Sequence, residues 1–152
     1  MEEPTAEERA RLSGPAMRVF DNVTRRWGLS ERVKHQLLGC VEHEFRDWVR
    51  DARRHKPLVL DVAVLMRISA VLGVFGDLRQ LTSEAAEERC WLTRQIAAPP
   101  FEGKAPIELL CRSFESQMDV RRHLSARVLG QHPPNAADEG FRKYTDKDLI
   151  WV

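Results

Sequence analysis

The chain is poor in the features that usually announce a chemistry. Its three cysteines, Cys40, Cys90 and Cys111, are odd in number and scattered through apolar contexts. That argues against a disulfide framework and reads as the reduced thiols of a cytoplasmic protein. Net charge is nearly absent: 24 Lys and Arg against 23 Asp and Glu give +1, with a pI near 7.8. A chain so balanced is not a strong polyanion binder by its overall field, so any nucleic-acid contact must come from a local patch. No apolar run approaches the roughly 20 residues of a membrane helix, so no membrane partner is expected. The opening MEEPTAEERARLSG is acidic and lacks the apolar segment of a signal peptide. There is no phosphate-binding loop, no glycine-rich dinucleotide fingerprint and no internal repeat. The alternating pattern of a half-buried strand is missing ahead of the C-terminal tail.

What is present is helical periodicity. An apolar share of 43% and a charged share of 31% suit one soluble domain, or two very small ones. Ala16, Val19, Phe20, Val23 and Trp27 stripe a first helix ended by Gly28, after a frayed polar start. Ser30 suits the N-cap of a short second helix stopped by Gly39. Val41, Phe45, Trp48 and Val49 stripe a third, running out near Arg53. Pro57 marks the start of a fourth, and Thr82 or Ser83 caps a fifth. A short helix follows from Pro106 to about Phe114, and Ser116 caps a last one closed by Gly130. The expectation is an all-α protein: a flexible N-terminus over 1–14, a helix-turn-helix bundle over 15–56, a small helical domain over 57–130, and a tail over 131–152.

Residues 30–52, SERVKHQLLGCVEHEFRDWVRDA, follow the helix-turn-helix pattern, in which a short turn projects the second helix toward a major groove. Its outward candidates are Glu42, His43, Glu44, Arg46, Asp47 and Arg50. Arg46, Arg50 and His43 suit guanine edges or phosphates, whereas the carboxylates there oppose phosphate. Arg53 and Arg54, with His55 and Lys56, build a positive patch to which Arg25, Arg26, Arg32 and Lys34 add. The candidate DNA contacts are therefore Arg32, Lys34, His43, Arg46, Arg50, Arg53 and Arg54. The competing reading is the solvated face of a small bundle.

Further along, Trp91-Leu92 leads into APPFEGKAPIELL. A helix ending in Trp-Leu meets a Pro-Pro-Phe corner, and Pro106 then opens a new helix, where its fixed φ and missing N–H do no harm. Gly103 suits a positive φ or a close approach. Taken with the Leu37-Leu38-Gly39…Trp48 module, this Trp91-Leu92…Gly103…Pro106-Ile107-Glu108-Leu109-Leu110 spacing resembles the Xre/MbcA/ParS-type antitoxins over about residues 15–130. The resemblance implies an N-terminal half that binds operator DNA and represses its own operon. It also implies a C-terminal half that blocks a RES-type toxin, one that consumes NAD or transfers ADP-ribose from it. It further implies a homodimer or a hetero-oligomer with toxin, and no active site, metal or cofactor in the antitoxin itself.

Trp91, Phe101 and Ile107 are read either as core or as anchors for that partner, with Glu102 and Lys104 at the rim. The tail holds Phe141, Tyr144, Ile150, Trp151 and Val152. It is expected to dock on the toxin or on its own domain, because burying a Trp is worth roughly 2–3 kcal/mol, with plain disorder as the remaining alternative. Glu84, Glu87 and Glu88 read as a solvated acidic face. Cys40 with His43 and His35 lacks a second pair at metal-ligand spacing. Cys111 with His123 is set aside as a nucleophile and base because Cys111 lies on an apolar run. A stand-alone regulator and a helical adaptor that binds only protein remain as alternatives.

Overall fold

The structure, a computed structural model, describes residues 2–131 and 136–141. It is all-α. Seven helices, α1 (Ala6–Arg26), α2 (Glu31–Leu38), α3 (Glu42–Arg53), α4 (Val62–Leu81), α5 (Ala85–Thr93), α6 (Pro106–Arg112) and α7 (Phe114–Val128), are followed by a 3-10 turn at Ala136–Glu139. Among the described residues there is no strand, only an isolated bridge between Ile96 and Lys104.

The helix ends follow side-chain caps more closely than apolar stripes. α1 begins at Ala6, well ahead of the expected stripe, because Thr5 and Glu8 form a reciprocal cap: Glu8 N–H donates to Thr5 Oγ1 at 3.1 Å and Thr5 N–H to Glu8 Oε2 at 2.9 Å. The stretch expected to be frayed is helical from that point. Its Ser13 is buried, donating to Arg9 O at 2.6 Å and accepting from Leu60 N–H at 2.9 Å. Pro15 lies inside α1 on its exposed side rather than at a start. α2 matches its cap signals: Ser30 Oγ accepts from Val33 N–H at 3.3 Å, and Gly39 closes the helix at φ 67°. Pro57 does not open α4. Residues 57–61 are not helical, Leu58 and Leu60 are buried, and the helix starts after Asp61, itself in the β region. Glu84, not Thr82 or Ser83, takes the N-cap of α5, and Ser113, not Ser116, caps α7.

α4 is the central element, packed against α1 on one side and α7 on the other, while α2 joins α6 and α3 lies on α1. One hydrophobic cluster contains Met17, Phe20, Leu37, Phe45, Leu60, Ile68, Leu78, Trp91, Phe101, Leu110 and Leu124. It runs unbroken across residue 57, where the sequence pattern placed a domain boundary.

Three buried carboxylates tie distant segments together. Asp21 accepts from Arg53 Nε and a terminal nitrogen at 2.8 and 2.9 Å, joining α1 to α3. Glu88 accepts from Arg26 at 2.7 Å and from the Trp27 indole N–H at 3.0 Å, joining α5 to α1. Glu139 accepts from the Trp91 indole at 3.3 Å, lies 2.7 Å from His123 Nε2 and 2.8 Å from Arg127 Nε, and so fixes the 3-10 turn to α5 and α7.

The thiols divide by burial. Desolvation pushes Cys40 and Cys111 up to about 11, with Glu44 adding to the effect at Cys40, while Cys90 is exposed. Iodoacetamide at pH 8 is therefore expected to label Cys90 at once and the other two only on unfolding, as peptide mapping would show. Both raised groups favour the neutral thiol in the folded state, so their contribution is intact below about pH 9 and is lost toward pH 11. A Cys40→Ala/Cys111→Ala chain should lose less stability than the wild type between those pH values in urea titrations.

Candidate nucleic-acid interface and partner-binding corner

The α2–turn–α3 unit is built locally. Gly39 supplies the left-handed residue, Cys40 N–H returns to His35 O at 3.2 Å, and His35 Nδ1 lies 3.0 Å from Cys40 O. Phe45, Val49 and Ala52 face inward, Phe45 meeting Phe20 edge-on at 6.3 Å, and Trp48 is half-buried. That fixes the exposed face of α3 as Glu42, His43, Glu44, Arg46, Asp47, Arg50 and Arg53.

Beside it lies a cavity of about 460 Å³ lined by Asp21, Glu31, Lys34, Phe45, Arg46, Val49, Arg50, Arg53 and Arg54. Five of the seven proposed DNA contacts line this one groove, and Arg32 and His43 stand exposed outside it. The cations are of two kinds. Arg46 bridges Glu31 at 2.8 Å and Glu42 at 2.5 Å, Arg50 reaches Asp47 at 3.1 Å and Asp51 at 3.4 Å, and Arg53 is spent on Asp21. The bonds to Glu31 and to Asp21 raise Arg46 and Arg53 further above the ordinary arginine value. Among the described residues, no carboxylate bonds Arg32, Lys34 or Arg54. Those three are available to a phosphate without first breaking an internal pair.

The corner after α5 is a closed loop. Ile96 N–H donates to Lys104 O at 3.2 Å and Gly103 N–H to Ile96 O at 2.8 Å. Glu102 at φ 49° and Gly103 at φ 88° turn the chain, and a Cβ on Gly103 would meet nothing. Gly103 is thus needed for its positive φ, not for close approach. Pro106 is buried at the first turn of α6, and Glu108 Oε2 accepts from Ala105 N–H at 2.8 Å.

Trp91 and Phe101 are 1% and 0% exposed, so of their two readings the core one describes this structure. Trp91 meets Phe101 edge-on at 5.8 Å, Phe141 stacks on its other side at 5.9 Å, and Phe101 meets His123 at 4.9 Å. Ile107 is half-buried, Glu102 and Lys104 are exposed, and Tyr144 and Trp151 lie outside the described residues.

Glu88, grouped by sequence with a solvated acidic face, is 1% exposed. The signal was its spacing: Glu88 precedes Trp91 and Leu92 by three and four residues, which puts it on the buried stripe. Gln117, which sequence reasoning passed over, is buried and donates to Leu37 O and Leu110 O at 2.8 Å each, linking α7 to α2 and α6. Compared with protein-family models, curated proteins and solved structures, the chain has no match.

Proposed function

We propose that the protein works by binding rather than by catalysis: an antitoxin that covers a RES-type toxin through its C-terminal half and contacts operator DNA through α2 and α3. The observation that carries the DNA half is the groove beside α3, where Lys34 and Arg54, with Arg32 nearby, form no ion pair while its two carboxylates, Asp21 and Glu31, are taken by Arg53 and Arg46. Such cations supply salt-sensitive, sequence-independent affinity, and His43 with Arg46 supplies what base reading there is. The toxin half rests on the resemblance of the Trp91–Leu110 stretch. The loop, closed by the hydrogen bonds between Ile96 and Gly103–Lys104, presents Glu102 and Lys104 outward over the buried Trp91 and Phe101. A stand-alone regulator is the second reading, since the same groove would serve it.

Fluorescence anisotropy with duplex DNA from the chain's own upstream region, at about 50 and 200 mM salt, tests the DNA half. A Lys34→Ala/Arg54→Ala chain is expected to bind more weakly on every sequence, with a salt slope lower by roughly two. Glu42→Gln, which removes one of the two carboxylates on Arg46 and a charge facing phosphate, is expected to tighten binding. No binding at either salt concentration overturns the DNA half. Co-expression with the toxic product of the neighbouring reading frame tests the other half, and failure to rescue growth leaves the regulator.

A further inference from the structure

Arg89 belongs to α5, in the half of the chain that the DNA reading leaves unused, yet it reaches the end of α1. One of its terminal nitrogens donates to Arg26 O at 3.0 Å. Its Cδ lies 3.5 Å from the place a Cβ on Gly28 would take, so the side chain crosses the left-handed residue that turns α1 into α2. The preceding residue explains this placement. Glu88, 1% exposed, accepts from Arg26 and from the Trp27 indole, and so holds α5 against the last turn of α1. Neighbouring residues on a helix point about 100° apart. With Glu88 turned inward, Arg89 emerges at the rim of that contact, exposed.

Two further cations flank the same turn. The Arg25 side chain is 57% exposed, bonded to Asn22 Oδ1 at 2.9 Å and 4.0 Å from Asp21, which lines the groove beside α3. Arg32, two residues past the N-cap Ser30, is exposed. Among the described residues neither Arg32 nor Arg89 forms an ion pair. The carboxylates around them have other partners: Asp21 holds Arg53, Glu31 holds Arg46 and Glu88 holds Arg26. Glu87 comes two residues before Arg89 and so lies across α5 from it, in the cleft beside Trp91 and Phe141. The turn therefore carries uncompensated positive charge next to the groove. About 8 Å of α1 axis separates Asp21 from Arg26. Successive phosphates of one strand advance about 3.4 Å along the duplex, so the turn lies about two or three phosphates beyond the groove.

We propose that Arg89, with Arg25 and Arg32, forms a second seat for a DNA backbone phosphate, flanking the contacts of α3. The inference rests on the DNA reading above and adds to it a contact from the second half of the chain. An arginine suits the role, because its planar fork can give two donors to a phosphate while a third nitrogen position stays on Arg26 O. The seat reads no base; it fixes where the duplex lies on α3.

Anisotropy with the upstream duplex at about 50 and 200 mM salt, repeated on Arg89→Ala, tests the seat. One lost phosphate contact lowers the salt slope by about 0.9. The variant is thus expected to bind about 10-fold more weakly at the lower salt and about 3-fold at the higher, with unchanged helical circular dichroism. Arg89→Lys keeps the charge and should keep most of the slope. Duplexes with single phosphates replaced by a neutral methylphosphonate then locate the contact. At one phosphate outside the segment facing α3, neutralisation is expected to cost the wild type about 10-fold and Arg89→Ala less than about 2-fold. A wild-type slope in Arg89→Ala, beside a lowered slope in Lys34→Ala/Arg54→Ala, overturns the seat and leaves the DNA reading standing. Equal costs for both chains at every methylphosphonate do the same. A wild-type chain that binds no duplex at either salt concentration removes both.

Discussion

Trp91→Ala is expected to lower the unfolding free energy by about 3–5 kcal/mol. The indole is held by two distant segments: Phe101 from the corner, and Glu139 and Phe141 from the 3-10 turn and just beyond it. Truncation leaves a void against Phe101 and removes one partner from the buried Glu139, which keeps His123 and Arg127. Urea unfolding measures the loss. Because Trp91 is inside, the same variant should weaken any partner that reads the loop at Glu102 and Lys104 only through the loop's altered shape. Glu102→Ala and Lys104→Ala, both exposed, are the counterpart experiment. Each should leave stability within about 0.5 kcal/mol while changing partner affinity directly. A Trp91→Ala chain as stable as the wild type would show that the aromatic cluster does not hold the corner.

The second large effect is expected at Glu88. Glu88→Ala strips the acceptor from the buried Trp27 indole and leaves a small void between α5 and α1, at a cost of about 2–3 kcal/mol. Arg26, 37% exposed, can turn to water and adds little of its own. Glu88→Gln keeps an acceptor for the indole and should recover more than half of the loss. Thermal melts of the three chains give the order wild type, glutamine, alanine. If glutamine is no better than alanine, the charge rather than the indole bond holds α5 in place.

Local signals carried α2 nearly residue for residue, because Ser30 and Gly39 act on their own chain neighbours and need nothing from afar. They failed where two polar residues compete for one cap. Ser116 looked like the cap of α7, but Ser113 takes it, accepting from Ser116 N–H at 3.1 Å while the Ser116 hydroxyl serves other acceptors. Pro57 looked like a helix start because proline suits a first turn. The alternation of buried Leu58, exposed Val59 and buried Leu60 lacks the helical period, and the segment is not helical. The positive face of α2 and α3 was legible residue by residue, but its division into free and paired cations was not. Arg53 is paired by Asp21, 32 residues away, and no local pattern encodes that distance. The same holds for Glu88 and Glu139, whose burial depends on partners contributed by other helices.

The single core that crosses residue 57 also sets how the protein is lost. With α4 touching both halves and Leu58 and Leu60 inside the cluster, the two halves are expected to open together. Cleavage within the helices of that shared core is then expected to require the whole molecule to come apart. Lifetime in a cell then tracks the global unfolding equilibrium rather than the looseness of any one segment. A ligand that binds only the folded form at either face would lengthen the survival of both.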